Sequence, residues 1–216
     1  MKGAAWWKRR LAGIKGKAVV GLTGPIASGK SLALACFARH GAFCVSADAV
    51  SAEVLTSPAC YNKILRKFSP YKILTNGTLD KKKLAAEVFG SPAKRRWLEK
   101  LLHPEILRRT YSLITDSPKK IAVMEAPLLF EAGLQDCFML TVCLAAPART
   151  LEERALARGW SRAGYRARAK AQLPPERKYA LASLVLDNSG RPEELDGKIG
   201  FLCGFLKDLV SRKDSK

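Results

Sequence analysis

Acidic residues are scarce in this chain of 216 residues, which has 19 Asp and Glu against 38 Lys and Arg. The formal net charge is +19, and no acidic residue occurs before Asp48. A charge of this size favours anionic partners, but it does not distinguish nucleic acid, a membrane surface and a phosphorylated small molecule. Because no recognised nucleic-acid-binding motif accompanies the charge, we expect no specific nucleic-acid partner.

Histidine is almost absent, and the six cysteines include no Cys-x-x-Cys pair. The two histidines, His40 and His103, are not near any pair of cysteines, which argues against a zinc site. Four of the cysteines lie in apolar stretches and are interpreted as small core residues in a reducing compartment. These are Cys36, Cys44, Cys137 and Cys143.

Long apolar runs are also missing, so we expect no membrane span. The start of the chain lacks the apolar segment of a signal peptide, and we expect a cytoplasmic protein, a monomer or a small homo-oligomer. Residues 1–17 are interpreted as a flexible basic leader. The alternative is a peripheral contact with acidic surfaces through Trp6, Trp7 and the basic cluster that follows them.

Short apolar runs alternate with helical patterns and predict the fold class. The runs at 18–23 and 42–47 flank a helical segment at 31–39, and this strand–helix–strand unit implies a parallel sheet. Runs at 120–126, 139–144 and 183–187 predict three more buried strands. The prediction is an α/β protein with a five-stranded parallel sheet of the P-loop NTPase type, flanked by helices.

The remaining segments divide the chain further. A core is predicted over 18–48, 118–148 and 176–214, and the mainly helical insert at 49–117 is interpreted as an acceptor-binding subdomain. Residues 149–175 are rich in arginine and are interpreted as a lid. Ser161 is the expected N-cap of a short helix there, and Pro174 with Pro175 should end the segment.

Residues 24–31 match the pattern G-x-x-x-x-G-K-[ST] completely, directly after a predicted strand and at the start of a predicted helix. We call this segment the phosphate loop. Its backbone N–H groups form an anion-binding nest at the positive end of the helix. The lysine can bridge the β- and γ-phosphates of ATP, and the last hydroxyl can bind Mg²⁺. The residues assigned to ATP are Gly24, Ala27, Ser28, Gly29, Lys30, Ser31 and Leu32.

Asp48 follows the second predicted strand, where the carboxyl end of a parallel strand faces the ligand crevice. A carboxylate at that position can take the proton of an acceptor hydroxyl. Alternatively, Asp48 caps a helix that begins at Ala49. Spacing alone does not separate the two interpretations.

From about residue 19 to residue 190 the chain resembles the dephospho-CoA kinases, which catalyse the last step of coenzyme A biosynthesis. The shared motifs occur in the family's order and without large gaps. After the phosphate loop they are Ala47-Asp48, Gly-Thr-Leu-Asp-Lys at 77–81, Leu-His-Pro at 102–104, Pro-Leu-Leu-Phe-Glu at 127–131, Arg154 and Arg158, Arg168 and Gln172, and Asp-Asn-Ser-Gly at 187–190.

The resemblance implies transfer of the ATP γ-phosphoryl group to the ribose 3′-hydroxyl of dephospho-CoA, with ATP and Mg²⁺ as cofactors. It implies that Lys30, Asp48 and Arg158 are catalytic, and that Arg158, Arg168 and Asn188 also contact ATP. Some positions differ from the family pattern. Ser46 stands where an Asp is usual, Ala27 and Pro25 replace glycines, and Gly159 stands where an Asp is common.

Three further residues are candidates for the site. Glu125 ends the third predicted strand and is assigned, with Ser31, to the metal, although it could be an ordinary strand-end charge. Glu131 is assigned to the acceptor, with the capping of a turn as the alternative. His103 is a candidate acceptor contact as well, although a buried, hydrogen-bonded structural histidine is the preferred interpretation from sequence.

Two other functions remain open from the residues alone. One is a P-loop kinase for another small acceptor, such as a nucleoside monophosphate or a sugar. The other is a basic nucleic-acid-binding P-loop protein, which would bind DNA or RNA with strong salt dependence and without turning over a small molecule.

Replacement of Lys30 by alanine should abolish phosphoryl transfer while the protein stays folded, because a positive charge at the γ-phosphate is lost from a water-poor site. Turnover measured as ADP release, together with a thermal melt, tests this. A variant that keeps most of its activity would show that the phosphate loop is wrongly assigned.

Overall fold

The computed structural model describes residues 4–214, and its centre is a five-stranded sheet. In chain order the strands are β1 (Ala18–Thr23), β2 (Phe43–Ser46), β3 (Leu74–Thr75), β4 (Thr78–Leu79), β5 (Ile121–Glu125), β6 (Leu140–Ala145) and β7 (Leu184–Asp187). The main sheet has the order β2-β5-β1-β6-β7, and every neighbouring pair in it is parallel. The α/β class and all five predicted strands are therefore confirmed.

Helices cover both faces of this sheet. They are α1 (Ala4–Ala12), α2 (Lys30–Arg39), α3 (Ala47–Thr56), α4 (Pro58–Lys67), α5 (Pro70–Ile73), α6 (Lys81–Phe89), α7 (Pro92–Asp116), α8 (Ala148–Ala157), α9 (Arg162–Lys170), α10 (Pro175–Leu181) and α11 (Pro192–Asp214). A 3-10 helix occupies Gln135–Cys137. Within residues 4–214 no helix combines the length and the apolar character that crossing a bilayer requires.

The core has two parts because β1 is buried along its whole length and successive side chains point to opposite faces of the sheet. On one face Val20 and Leu22 pack with residues of α2 and α11, including Phe37 and Leu206. On the other face Val19 packs with the helices of the insert. The central strand therefore holds the phosphate loop between two independently packed layers.

The insert between β2 and β5 is helical, as predicted, but it also contains a small hairpin. Strands β3 and β4 pair antiparallel, and the turn between them is Asn76-Gly77, both with positive φ (48° and 74°). These angles match a type I′ turn, which favours Asn-Gly. Asp80 then caps α6 by accepting hydrogen bonds from the backbone N–H groups of Lys82 and Lys83.

The N-terminal segment is a helix rather than a flexible leader, so that interpretation is wrong for residues 4–12. Trp7 and Leu11 are four residues apart and lie on one helix face. Leu11 is fully buried in the core, and the Trp7 ring lies 5.6 Å from that of Tyr111 on α7. The Lys8 ammonium donates to the carbonyl of Gly133. Helix α1 thus braces α7 and the loop after β5.

Leu11→Ala should lower the free energy of unfolding by about 2–5 kcal/mol, because it leaves a cavity beneath α1. Arg9→Ala is the matched control, since Arg9 is exposed on the same helix. We expect that control to change stability by no more than about 0.5 kcal/mol. Urea denaturation measures both values. Equal, small effects would mean that α1 does not pack as described.

Candidate active site

The phosphate loop connects β1 to α2, and glycines are needed at both of its ends. Gly24 has φ 149°, and a Cβ there would lie 2.9 Å from the carbonyl oxygen of Leu144 on β6. Gly29 has φ 95°, and a Cβ there would lie 2.2 Å from the Asn188 side-chain nitrogen. The loop backbone is therefore packed too closely against its neighbours to carry side chains at these two positions.

Lys30 bends back over this loop. Its ammonium donates to the carbonyl oxygens of Gly24 (3.0 Å) and Pro25 (2.9 Å). Burial lowers the pKa of Lys30 to about 8, while the nearby Glu125 opposes this change and the positive charge of Arg158 adds to it. An anionic phosphate bound here would supply the partner that stabilises the charged lysine.

Ala27 adopts φ 63°, in the left-handed region. Glycine reaches this region without the steric cost that a Cβ imposes. The replacement of a family glycine at this position is thus accommodated without a change of loop shape, but at the cost of backbone strain.

Asn188 packs against the backbone of the phosphate loop and is hydrogen-bonded to it. It lies after β7 and is buried, and its side-chain N–H donates to the carbonyl of Ser28 at 2.8 Å. Its backbone N–H donates to Ala145 at the end of β6. The structure therefore places Asn188 against the phosphate loop and occupies its amide with the loop backbone.

Asp48 is not a helix cap, which corrects one of the two interpretations of this residue. Helix α3 begins at Ala47 and its N-cap is Ser46, so Asp48 lies in the first turn. The Asp48 carboxylate makes no ion pair with any residue between 4 and 214. It lines a cavity of about 760 Å³ that we call the main cavity. It is therefore free to face a ligand.

Glu125 lies beside Asp48 and Lys30 in the site. It ends β5 opposite Ser46 of β2 and is half-buried. Desolvation raises the pKa of Glu125, with a smaller contribution from the negative charge of Asp48, while Lys30 and the Ser46 side chain act in the opposite direction. The predicted metal residue Ser31 is exposed in the first turn of α2.

The lid segment has the predicted helix and the predicted cap. Ser161 accepts a hydrogen bond from Gly164 at the start of α9. Helix α8 ends before it with Gly159 at φ 81°, with hydrogen bonds from Gly159 to Leu156 and from Trp160 to Ala155. This Schellman pattern explains why glycine stands where the family commonly has Asp.

The lid arginines separate into two groups. Arg162 and Arg166 lie on the face of α9 toward Glu152, with N–O distances of 3.0 and 3.9 Å. Arg168 points away from them, as its spacing predicts, and stacks on the Trp160 ring at 4.4 Å. Arg158 caps the end of α8, is exposed, and contributes to the electrostatic environment of Lys30.

One cavity of about 760 Å³ brings several of these elements together. Ile26 of the phosphate loop and Asp48 form one side of it. The insert contributes His103, the loop after β5 contributes Glu131, and the lid contributes residues that include Arg168 and Gln172. Four residues predicted from sequence therefore share one cavity: Asp48, His103, Glu131 and Arg168.

His103 lies in the middle of α7, directly before Pro104. It is half-buried, and no hydrogen bond joins it to another residue in the described part of the chain. It lines the cavity instead. The alternative of a hydrogen-bonded structural histidine is therefore not supported.

Lys178 was missed by the sequence analysis. It lies on α10 and is fully buried, and its ammonium is 3.1 Å from the Glu131 carboxylate. It also contributes to the lowered pKa of Lys30. A lysine in the polar run Pro-Glu-Arg-Lys carries no sequence signal for burial. Its burial depends on the loop after β5, which is distant in sequence.

The chemistry available in the cavity is that of phosphoryl transfer. The backbone nest and Lys30 suit a polyphosphate, and a carboxylate stands at the carboxyl end of the adjacent strand. In the range 4–214 no three His, Cys, Asp or Glu residues cluster as a metal site. A metal that keeps most of its waters and binds through one or two protein oxygens does not need such a cluster.

Comparison with known proteins points to one family. The family model described as dephospho-CoA kinase matches residues 18–194. A dephospho-CoA kinase of Thermobifida fusca is 36% identical over 184 residues, 83% of this chain and 92% of that protein. One from Anaeromyxobacter dehalogenans is 37% identical over 200 residues, 90% and 95% respectively.

Solved structures agree in fold. A Thermus thermophilus structure superposes with a TM-score of 0.79 at 32% identity, covering 88% of this chain and 98% of that one. A dephospho-CoA kinase from Campylobacter jejuni gives a TM-score of 0.58 at 21% identity, with the same coverage, and shows the shared fold.

Ala27→Gly should raise the free energy of unfolding, because the left-handed strain of about 1–2 kcal/mol exceeds the added freedom of the unfolded chain, about 0.4–1 kcal/mol. Ala33→Gly is the matched control in α2, and it should destabilise the protein by about 1 kcal/mol or more. Denaturation curves of the two variants test whether the free energy of unfolding rises in Ala27→Gly and falls in Ala33→Gly. A loss of stability in Ala27→Gly would show that the loop is not strained.

Proposed function

Because the chain belongs to the dephospho-CoA kinase family, we propose that it transfers the γ-phosphoryl group of ATP to the ribose 3′-hydroxyl of dephospho-CoA, giving CoA and ADP. The observation that carries this proposal is the single cavity shared by the phosphate loop, Asp48, the helical insert and the lid. An acceptor in that cavity would meet the γ-phosphate at its phosphate-loop end.

The phosphate loop binds the triphosphate of ATP in this proposal. Its N–H groups from Ala27 to Leu32 would donate hydrogen bonds to the phosphate oxygens, with Lys30 at the β- and γ-phosphates. Asn188 contributes by holding the carbonyl of Ser28, so that it acts on ATP through the loop rather than by direct contact. This is a refinement of the role expected for Asn188.

Mg²⁺ would be held by the Ser31 hydroxyl and, through water, by the Glu125 carboxylate. The fit rests on the donor set, since Mg²⁺ prefers oxygen and usually keeps several waters. When bound, the ion neutralises charge between the β- and γ-phosphates. The raised pKa of Glu125 is consistent with a half-buried carboxylate that gains a cation on binding.

Asp48 is the proposed base. Phosphoryl transfer depends mainly on positioning and charge stabilisation. Asp48 would orient the acceptor hydroxyl in line with the γ-phosphate and take its proton late in the reaction. Its place in the first turn of α3 puts it at the wall of the cavity, where an acceptor would bind.

Residues 149–175 are the proposed lid, and Arg158 and Arg168 are its proposed contacts with ATP. An arginine fork can spread positive charge over the equatorial oxygens of the transferring group. Closure of such a segment excludes water and completes the site. Residues 49–117 are the proposed acceptor subdomain, with His103 from α7 and Glu131 from the adjoining loop as acceptor contacts.

The six cysteines are all free thiols, five of them buried. This agrees with the reducing compartment proposed from the sequence. We propose a cytoplasmic enzyme that acts as a monomer or a small homo-oligomer.

The acceptor is tested by measuring ADP release with dephospho-CoA, AMP, CMP and simple sugars at equal concentrations. We expect turnover with dephospho-CoA to exceed turnover with each of the others. Preferred turnover of a nucleoside monophosphate or a sugar would overturn the proposed acceptor but leave the kinase chemistry in place.

Asp48→Asn should lower kcat by about 10²–10⁴-fold, the usual contribution of general-base assistance. The loss of helix-dipole interaction costs only about 0.3–1 kcal/mol of stability, so the protein should stay folded and keep its affinity for ATP. Asp208→Asn is the control, because Asp208 is exposed on α11. Full activity in Asp48→Asn would remove this residue from the chemistry and direct the search for a base to Glu125 or Glu131.

A further inference from the structure

Lys178 is a fully buried lysine on α10, the helix that follows the lid. Its ammonium donates to the carbonyl of Pro127 at 2.8 Å and to the side-chain oxygen of Gln172 at 2.9 Å. The third neighbour is Oε1 of Glu131, at 3.1 Å. All three donor positions of the ammonium are therefore directed at acceptors.

Those acceptors belong to two different parts of the site. Pro127 and Glu131 lie in the loop after β5, while Gln172 lies near the end of the proposed lid, residues 149–175. The backbone N–H of Leu173 also donates to Oε1 of Glu131, at 2.8 Å. Lys178 and Glu131 together therefore join the end of the lid to the loop that follows the third core strand.

These contacts use only one end of the Glu131 carboxylate and one end of the Gln172 amide. Both partners of Glu131 use Oε1, and Oε2 accepts no hydrogen bond from any residue between 4 and 214. Because Lys178 occupies the oxygen of the Gln172 amide, its NH₂ group is the end that remains available. Glu131 and Gln172 both line the main cavity. The cavity wall thus offers one acceptor and one donor group next to each other.

Because Lys178 is buried, its three contacts are sensitive to the loss of any one partner. An ammonium with no exposed surface has no water to replace a lost partner. Glu131 is less enclosed, with 19% of its side chain exposed, so the loss of Lys178 would leave its carboxylate in contact with water and no longer fixed in one orientation. Without Lys178, the Glu131 carboxylate and the Gln172 amide would each lose a hydrogen-bond partner and could adopt other orientations.

We propose that Lys178 is a positioning residue that orients Glu131 and Gln172 toward the acceptor substrate. It acts through these two side chains and touches neither the acceptor nor the reacting atoms. The inference rests on the proposed function for the identity of the acceptor, because it assigns Glu131 to the side of the cavity that holds dephospho-CoA. Lys178 makes no hydrogen bond to the phosphate loop among the described residues and acts on Lys30 only through its charge, so we expect ATP binding to depend on it much less than acceptor binding does.

Lys178→Met tests the proposal by a comparison of two Michaelis constants. We expect the KM for dephospho-CoA to rise at least about tenfold, because Glu131 and Gln172 both lose the ammonium that orients them and must then be ordered when the acceptor binds. We expect the KM for ATP to stay within about twofold. Arg177→Met makes the same chemical change one residue away on an exposed side chain, and both constants should stay at the wild-type value.

A double-mutant cycle with Glu131→Gln separates positioning from general destabilisation. If Lys178 acts through Glu131, the effects of the two substitutions on the KM for dephospho-CoA are less than multiplicative. Multiplicative effects, or a Lys178→Met variant that behaves like Arg177→Met, would overturn the proposal. If Lys178→Met does not fold, Lys178→Gln is measured in its place, because it removes the charge while retaining an N–H donor.

Amide hydrogen exchange gives a test that needs no activity. The N–H of Leu173 is bonded to Glu131, so its exchange should accelerate in substrate-free Lys178→Met and stay unchanged in Arg177→Met. An unchanged rate in Lys178→Met would contradict the positioning role. If wild-type protein fails to phosphorylate dephospho-CoA but the Leu173 amide responds as expected, the proposed acceptor is wrong and the role of Lys178 stands.

Discussion

The close approach of the phosphate-loop backbone to its neighbours is the constraint on which the rest of the site depends. At Gly24 the loop passes so near the Leu144 backbone that even a methyl group would clash, and at Gly29 it meets the Asn188 side chain. The loop depends on β6 lying beside β1 and β7 beside β6, because these strands bring Leu144 and Asn188 against it. Its anion-binding nest thus depends on the sheet around it, since the six residues between β1 and α2 would not keep so strained a path alone. The positive φ of Ala27 shows how firmly the surroundings determine the loop.

The charge distribution follows from the same geometry. In a chain with a net charge of +19, the two carboxylates beside the loop lie at the carboxyl ends of adjacent strands, with Asp48 just after β2 and Glu125 at the end of β5. Lys30 is near enough to Glu125 for the two charges to interact, and burial lowers the pKa of Lys30. Bound phosphate would compensate Lys30, and a metal would compensate Glu125. Binding of ATP and a metal would therefore compensate the charges of Lys30 and Glu125, which the protein alone compensates only in part.

Local sequence signals predicted the parts of this site whose structure is set locally. The glycines and lysine of the phosphate loop, the strand at 18–23 and the Ser161 cap each carry their own signal. Asn76-Gly77 carried a hairpin signal too, which the helical interpretation of the insert overlooked. The capping interpretation of Asp48 is wrong because the helix starts at Ala47, two residues before the predicted start at Ala49, and Ser46 is its N-cap. Leu11 and Lys178 were not recognisable, because their burial is created by α7 and by the loop after β5, which are distant in sequence.

The two ends of the lid are attached by different kinds of interaction, and this difference determines how it can move. At its start, α8 ends in a Schellman turn at Gly159, which depends only on local backbone. The contacts of Arg162 and Arg166 with Glu152 involve arginines that are largely exposed, and such pairs contribute little to stability. At its other end, Gln172 is hydrogen-bonded to the buried Lys178, and Leu173 is hydrogen-bonded to Glu131, the partner of Lys178. Since the exposed contacts break at low cost and the buried ones do not, we expect α9 to swing about its attachment at Leu173. Arg168, on the cavity side of α9, would then move over bound ATP while the acceptor wall stays in place.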